Sequence, residues 1–262
     1  MRSFATKLLA PALTLCITAP FILLLLLSFS RSWSYPALWP QVWQSDQWQV
    51  FGEDWHSLLA ITLRSLSLAA GVAVLATSAG FFTARAITLH HHARHWLALA
   101  LLPFAVPPVV YALCLGQGFA ALGLSGHYAG VVLAQWPFAY AYAVLLSHGY
   151  WTRHTFALDE LAHSLGARPS QIWWRVHRPL ARGVLGVCLF QTALMSWFDF
   201  ALVRVIGAGR VETLTLRVFD YLGAGDLRQA AAAALLLITP PALALVINPH
   251  LLLPAPLWRA PT

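Results

Sequence analysis

Long apolar stretches, separated by short polar segments, recur along this 262-residue chain. The stretches long enough to cross a bilayer are residues 8–29, 66–84, 96–115, 128–146, 183–203 and 230–253. About 20 apolar residues in a helix cover the roughly 30 Å hydrocarbon core of a membrane, and a helix pairs its own backbone groups where water is absent. We therefore predict an all-α membrane protein with six transmembrane helices, in which residues 1–262 form a single transmembrane domain.

The composition agrees with a chain that lies in lipid. Hydrophobic residues make up 59% of the chain and charged residues 10%, whereas soluble domains are about 25% charged. The formal net charge of +7 does not indicate a nucleic-acid partner, because such a partner requires a basic face on a soluble fold. Each of the three cysteines falls inside an apolar stretch, which favours packing over a disulfide or a zinc site.

The distribution of basic residues predicts the orientation in the membrane. With the N-terminus inside, the cytoplasmic segments hold ten of the 16 Lys and Arg residues, and the outer segments hold six that are matched by six acids. Cytoplasmic segments of membrane proteins carry an excess of Lys and Arg. We expect a multi-pass protein of the bacterial inner membrane with both termini in the cytoplasm. The outer loop of residues 30–65, which contains five tryptophans, is expected to lie along the lipid headgroups.

The longest predicted cytoplasmic loop, residues 149–182, has the pattern of two short helices. The apolar stripe of the first is Leu158, Leu161, Ala162 and Leu165, and that of the second is Ile172, Trp173 and Val176. Asp159 and Glu160 are placed in the opening turn of the first helix, where the helix dipole favours acids. Gly166 is expected to end the first helix and Pro179 to stop the second.

Apolar stripes on a loop that faces water need a cover. One possibility is that the two helices lie on the membrane surface, as amphipathic helices do. The other is that they dock onto a soluble protein.

The order of residues in this loop resembles the EAA motif of binding-protein-dependent ABC importer permeases. The matching positions are Glu160, Leu161 and Ala162, then Gly166 six residues after the glutamate, then Pro179 thirteen residues after the glycine. Two positions depart from the motif. Leu161 stands where alanine is preferred, and Arg178 stands where leucine usually precedes the proline. Neither departure changes the spacing.

In that family the loop forms a coupling helix that sits in a cleft of a cytoplasmic ATPase. The resemblance implies that the ATPase-docking residues are Glu160, Leu161, Ala162, Leu165, Gly166, Ala167 and Pro179. It also implies two permease subunits, identical or related, with two cytoplasmic ABC ATPase subunits and a periplasmic solute-binding protein, which together move a small solute across the bacterial inner membrane by alternating access.

The energy for such a cycle is expected to come from a partner. The sequence contains no G-x-x-x-x-G-K-[ST] phosphate loop, the usual means of holding ATP phosphates. ATP is therefore expected to be used by the partner ATPase, while this chain binds no cofactor and is a transport subunit rather than an enzyme.

A few residues in the predicted spans are candidates for the solute pathway. Asp199 is the only acid inside a predicted span, and such groups are costly and often functional. Because it lies near the outer end of its span it could reach water or pair with Arg204, so a pathway role and a structural role both stay open. Pro107 and Pro108 remove helical hydrogen bonds, and the freed carbonyls could line a route or only shape the packing. The spans offer too few polar side chains to identify the solute.

Two other classes of membrane protein fit parts of the pattern. A secondary transporter or channel could also have six helices, but the sequence shows no inverted repeat, no interrupted helix pair in matching halves and no ring of charges. A rhomboid-like intramembrane serine protease would use Ser125, in the segment Gly123-Leu124-Ser125-Gly126, with His250 as the base. These residues fall near opposite ends of their helices, roughly 30 Å apart, beyond the reach of proton transfer. The tetrapeptide is therefore predicted to be a tight turn.

Four histidines lie in the predicted inner loop between the second and third spans. They are His90, His91, His92 and His95. Three consecutive residues are not expected to point in one direction. We therefore predict a polar interfacial loop and no metal site, because a histidine-rich tract suggests metal binding only by its composition.

Overall fold

The computed structural model describes residues 2–33, 36–45, 48–49 and 55–249. The helices are α1 (Arg2–Ser28), α2 (Trp55–Leu89), α3 (Ala93–Ala100), α4 (Pro108–Ala121), α5 (Tyr128–His148), α6 (Arg153–Ser164), α7 (Pro169–Trp197), α8 (Ala201–Gly207), α9 (Leu214–Gly223) and α10 (Leu227–Ile247). Two short strands, β1 (Ser30–Ser32) and β2 (Val42–Trp43), pair antiparallel. The predicted all-α class is confirmed for the described residues, with this short hairpin as an addition.

The described residues include four helices that are long and apolar enough to cross a membrane, namely α2, α5, α7 and α10. Of two shorter apolar helical stretches, Leu13–Ser28 falls within the first predicted span, and Pro108–Ala121 overlaps the third and extends beyond its predicted end at residue 115. The fourth span is found almost as predicted. The second is longer than predicted, because α2 begins at Trp55, inside the segment that we predicted to be an outer loop.

The third predicted span is interrupted. After α3, a 3₁₀ turn covers Leu102–Ala105, Val106 and Pro107 are extended with ψ of 127° and 137°, and α4 begins at Pro108. A residue before proline is pushed out of the helical region, and Pro108 suits the first position of a new helix, where no partner for its nitrogen is needed. The prediction of one helix over residues 96–115 is therefore wrong, and the prolines end and restart the helix instead of kinking it.

The helix that follows α5 begins earlier than the sequence suggested. The backbone N–H of Thr152 donates to Thr155 Oγ1 at 2.8 Å, and the Thr152 side chain caps the Thr155 backbone in return. This capping box fixes the start of α6 at Arg153. Asp159 and Glu160 consequently lie in the middle of α6, and their predicted place in an opening turn is wrong.

Pro179 does not stop a helix. A π-helical turn, Trp173–His177, immediately precedes the α-helical part that begins at Arg178, so α7 runs without a break to Trp197. A proline ring within a helix clashes with the carbonyl four residues earlier, here Arg175, which belongs to the wider π turn. The inner loop and the fifth predicted span are thus joined in one helix.

The fifth predicted span also ends early. α7 ends at Trp197, and α8 starts at Ala201. Asp199 lies in the break between the two helices, and is not inside a continuous span as predicted. The sixth predicted span corresponds to α10, which includes Pro240 and ends at Ile247; the part of that prediction beyond residue 249 lies outside the described residues.

The chain divides into two compact units. One is drawn from Met1–Thr62 and Thr213–Pro240, and in it Arg228 Nη1 donates to the Arg31 carbonyl at 2.6 Å. The other is drawn from Leu63–Glu212 and Pro241–Thr262. A buried cluster of the second unit includes Phe81, Ala84, Val144, Tyr150, Trp151 and Ala181. The candidate sites described below belong to the second unit, and the single transmembrane domain stays a prediction.

Gly80 marks a close approach of α2 and α5. A Cβ added there would lie 2.5 Å from Ala143 Cβ and 2.9 Å from Val144 N, whereas a Cβ on Gly71 would meet nothing within 4 Å. We expect Gly80→Ala to destabilise the protein by roughly 1–3 kcal/mol, because overpacking forces backbone shifts. Gly71→Ala is the matched control and should be neutral or stabilising by up to about 1 kcal/mol. Thermal unfolding in detergent measures both, and equal midpoints would contradict the close approach.

Candidate functional site

The end of α6 presents apolar side chains to the outside. Leu161 is 58% exposed and Leu165 is 79% exposed, while Glu160 beside them is also exposed and Ala162 is half-buried. Leu161 and Leu165 are four residues apart and therefore lie on the same face of the helix end. The predicted docking residues from Glu160 to Ala167 lie at the end of α6 and in the turn that follows it. We call residues 160–167 the α6 tip.

The shape of the α6 tip depends on Gly166. This residue has a φ of +80°, its N–H donates to the His163 carbonyl at 2.9 Å, and the N–H of Ala167 donates to the Ala162 carbonyl at 3.0 Å. This pair of hydrogen bonds is a Schellman motif, which ends a helix with a left-handed residue. The predicted end of the helix at Gly166 is found. Pro179, by contrast, is exposed within α7 and does not close the tip.

The inner face of α6 is held by a buried acid. Asp159 is 6% exposed; its Oδ2 accepts from Arg85 Nη2 of α2 at 2.8 Å, and its Oδ1 contacts Nε2 of His177 in the π turn. The other ring nitrogen of His177 lies 3.0 Å from the Tyr150 hydroxyl. We call these four residues the Asp159 network. It ties α6 to α2, to α7 and to the segment after α5.

Burial and charge act on the phenol of Tyr150 in this network. Burial first, and then the negative charge of Asp159, raise the pKa of Tyr150 to about 12. The phenol keeps its proton and can donate to Nδ1 of His177, and in that tautomer the Nε2–H of the ring donates to the Asp159 carboxylate. The Tyr150 hydroxyl, both ring nitrogens of His177 and the Asp159 carboxylate are then paired, whereas the buried Nε of Arg85 has no hydrogen-bond partner among the described residues.

Aromatic rings surround the network. Trp151 Nε1 donates to the Phe81 carbonyl at 3.0 Å, and the Arg85 guanidinium lies 5.4 Å from the centre of the Trp151 ring. A cavity of about 170 Å³ beside them is lined in part by Trp173 and His163. The base of α6 is thus packed while its tip is exposed. Sequence reasoning missed Arg85, Tyr150 and His177. The available signal was that Asp159 and Ala162 are three residues apart and share a helix face, which places Asp159 on the apolar side of the helix, where a charged group needs a partner.

A second candidate site is a cavity of about 320 Å³, which we call the membrane cavity. The three pathway candidates, Asp199, Pro107 and Pro108, all line it, together with Gln135 and Ser196. The break after α3 and the break between α7 and α8 therefore lie at the same cavity. Interrupted helices at membrane depth are tolerated where the irregular backbone lines a cavity.

The carboxylate of Asp199 is well supplied with donors. Gln135 Nε2 donates to it at 2.9 Å, and backbone amides of Ala201, Leu202 and Val203, at the start of α8, bond to it as well. Ser196 Oγ donates to Gln135 Oε1 at 2.6 Å. The charge of Asp199 thus faces the positive end of a helix dipole. The sequence did not suggest Gln135 or these amides as partners of Asp199.

No family model matches the chain. Two curated relatives are similar to it: the molybdenum transport system permease proteins ModB of Mycobacterium bovis and of Mycobacterium tuberculosis. Each is 34% identical over 159 residues, which cover 55% of this chain and 60% of the relative. The similarity supports the ABC importer permease family. The chain spans about 60% of the length of the curated relatives that it matches.

Arg178, one of the two departures from the motif that the loop resembles, is stacked on a neighbouring ring. Arg178 replaces the usual leucine before Pro179, and its guanidinium lies 4.6 Å from the centre of the Trp174 ring. A guanidinium over an indole face is attracted to it, by about 0.5–1 kcal/mol at an exposed site. This stacking is a local interaction between residues four apart in α7.

The remaining motifs lie in turns. Ser125 lies in a turn in which the Leu124 N–H donates to the Phe119 carbonyl at 2.8 Å, as predicted, whereas His250 lies outside the described residues. One ligand nitrogen from each of His90, His91 and His92 lies within 4.8 Å of the others. The expectation that these three residues cannot point in one direction is therefore wrong, because they occupy the tight turn between α2 and α3.

Proposed function

We propose that this chain is the permease subunit of an ABC importer, and that its α6 tip docks in a cleft of a cytoplasmic ATPase. The similarity to the two ModB proteins supports this proposal, as does the exposure of Leu161 and Leu165 beside a glycine-terminated helix end. In this arrangement both termini are cytoplasmic. The complex would contain two ATPase subunits, a second permease subunit of the same or related sequence, and a periplasmic solute-binding protein.

The proposed solute is molybdate. The relatives are named as molybdenum transport permeases, and molybdenum is carried in water as an oxyanion. No Lys, Arg or His lines the membrane cavity among the described residues, so the cavity offers no cation to hold a dianion tightly. Such a lining suits passage, with selection made by the binding protein before the solute enters.

The proposed mechanism is alternating access driven by the ATPase. ATP-dependent closure of the ATPase dimer would push on the α6 tip, and the Asp159 network would pass this displacement to α2 and α7. Both helices contribute residues to the membrane cavity, Val72 from α2 and Met195 from α7. The opening of the cavity would then depend on which of two states of the complex ATP favours.

The test is to isolate the chain from its native membrane with its partners and to reconstitute the complex in vesicles. We expect an ABC ATPase and a solute-binding protein to copurify, and ATP-dependent uptake of radiolabelled molybdate that competing tungstate reduces. Copurification without molybdate uptake would retain the permease and reject the solute. Molybdate uptake that needs no ATPase would instead favour a secondary transporter or channel.

Asp199→Asn is the variant that tests the membrane cavity as the pathway. Asparagine caps a helix about as well as aspartate, so the fold should be kept while the negative charge is removed. Lower repulsion of a passing dianion, on the order of 1 kcal/mol at 6 Å through water, should raise the initial uptake rate several-fold. Asp226→Asn is the matched control, because Asp226 caps α10 through the N–H groups of Arg228 and Gln229. Unchanged uptake in Asp199→Asn would remove this residue from the pathway.

A further inference from the structure

The turn between α2 and α3 gathers imidazole rings. The ring centres of His90 and His91 are 4.4 Å apart, and those of His91 and His92 are 4.0 Å apart. All three side chains are exposed, and one ligand nitrogen from each lies within 4.8 Å of the other two. His95 lies close by, with its ring centre 5.8 Å from that of His92.

The backbone explains why consecutive side chains converge here. The His90 N–H donates to the Ile87 carbonyl at 3.0 Å, and the Ala93 N–H donates to the His90 carbonyl at 3.1 Å. The backbone therefore makes two tight turns in succession, unlike a strand, where neighbours point to opposite faces. Ile87 is buried in the core cluster with Tyr150 and Trp151, which holds one end of the turn in place.

We propose that His90, His91 and His92 form a binding site for a divalent transition-metal ion of the Zn²⁺, Ni²⁺ and Cu²⁺ class. Imidazole is a preferred ligand of these ions. A zinc–nitrogen bond of about 2.0–2.1 Å places the ligand nitrogens of a tetrahedral site about 3.4 Å apart. The ligand nitrogens, now within 4.8 Å of one another, must approach by up to about 1.4 Å to reach this separation, and exposed side chains can rotate by that amount. His95 or water completes the coordination.

One hydrogen bond has to be exchanged for the site to form. The backbone N–H of His92 donates to Nδ1 of His90 at 3.1 Å, which keeps the proton of a neutral His90 ring on Nε2. His90 must release this N–H to water before it can offer a nitrogen to a metal. His91 and His92 are therefore the first ligands, and His90 is recruited by the ion.

The experiment uses the full-length chain in detergent, purified through a streptavidin-binding tag that adds no histidine and freed of metal with a chelator. Calorimetric titration with Zn²⁺ should give one ion per chain, and titration with Co²⁺ should give the visible absorption of a nitrogen-ligated ion. The triple variant His90→Ala, His91→Ala, His92→Ala should lose both signals. His127→Ala, an exposed histidine in another turn, is the matched control and should keep them.

The single variants separate a site from scattered surface binding. Loss of a residue that only supports a ligand costs about 10–100-fold in metal affinity, so loss of a ligand at His91 or His92 should cost at least about tenfold. A triple variant that binds Zn²⁺ as tightly as the parent would overturn the proposal. So would single variants that keep the parent affinity, because independent histidines, each binding alone, would give that result.

Discussion

Replacing Gly166 with tryptophan is expected to abolish solute-stimulated ATP hydrolysis while the protein still inserts in the membrane. The φ of +80° at this position costs a residue with a Cβ roughly 1–2 kcal/mol, and the indole would stand on the surface proposed to enter the ATPase cleft. Glu160→Lys should have the same effect through charge reversal at an exposed position. The measurement is the ATPase rate of the reconstituted complex with and without solute-loaded binding protein.

A graded series at Gly166 distinguishes backbone shape from bulk. Asparagine tolerates the left-handed conformation better than alanine, so coupling should be retained best in Gly166→Asn, less well in Gly166→Ala and not at all in Gly166→Trp. Nothing lies within 4 Å of a Cβ at this position, so the small variants are not affected by a clash inside the chain. Normal uptake in both Glu160→Lys and Gly166→Trp would refute the docking assignment.

Replacing Asp159 with alanine is expected to have the largest effect on stability. Its removal would leave His177 buried and without its acid, and Arg85 Nη2 without its acceptor. Breaking a buried ion pair from one side costs about 3–5 kcal/mol, and because the Arg85 side chain is 43% exposed we expect the lower end of this range. The thermal unfolding midpoint in detergent, followed by tryptophan fluorescence, measures the loss.

The adjacent residue supplies the control for this loss. Glu160 follows Asp159 in α6 but is exposed, so Glu160→Ala should change the free energy of unfolding by no more than about 0.5 kcal/mol while it weakens coupling. Comparison of the two alanine variants therefore distinguishes an acid that stabilises the fold, Asp159, from an acid proposed to contact the ATPase, Glu160. Equal unfolding midpoints for the two alanine variants would contradict the burial and pairing of Asp159.

Hydropathy predicted which parts of the chain are apolar but not where the helices break. It reports how well a segment suits lipid over about 20 residues, whereas the break after α3 depends on the local rule that proline imposes on Val106. The break at Asp199 depends on a cap that Gln135 and the amides of α8 complete. Neither effect is visible in an average over a span.

The α6 tip was accessible to sequence reasoning because all its determinants are local. Gly166 and the carbonyls that its turn satisfies lie within one helix end. The Asp159 network was not accessible, since Arg85 is 74 positions and His177 18 positions away from Asp159. Only the packing of α2, α6 and α7 brings these residues together.

The π turn in α7 also sets the phase of that helix. A π turn carries one residue more than α-helical winding would place over the same rise, and one residue corresponds to about 100° of rotation. The side chains of Arg178–Trp197 are therefore rotated about the helix axis by about 100° from the positions that regular α-helical winding from Pro169–Ile172 would give them. A one-residue deletion within Trp173–His177 would restore regular α-helical winding, and would rotate either His177 away from Asp159 or the apolar face of Arg178–Trp197 away from its neighbours.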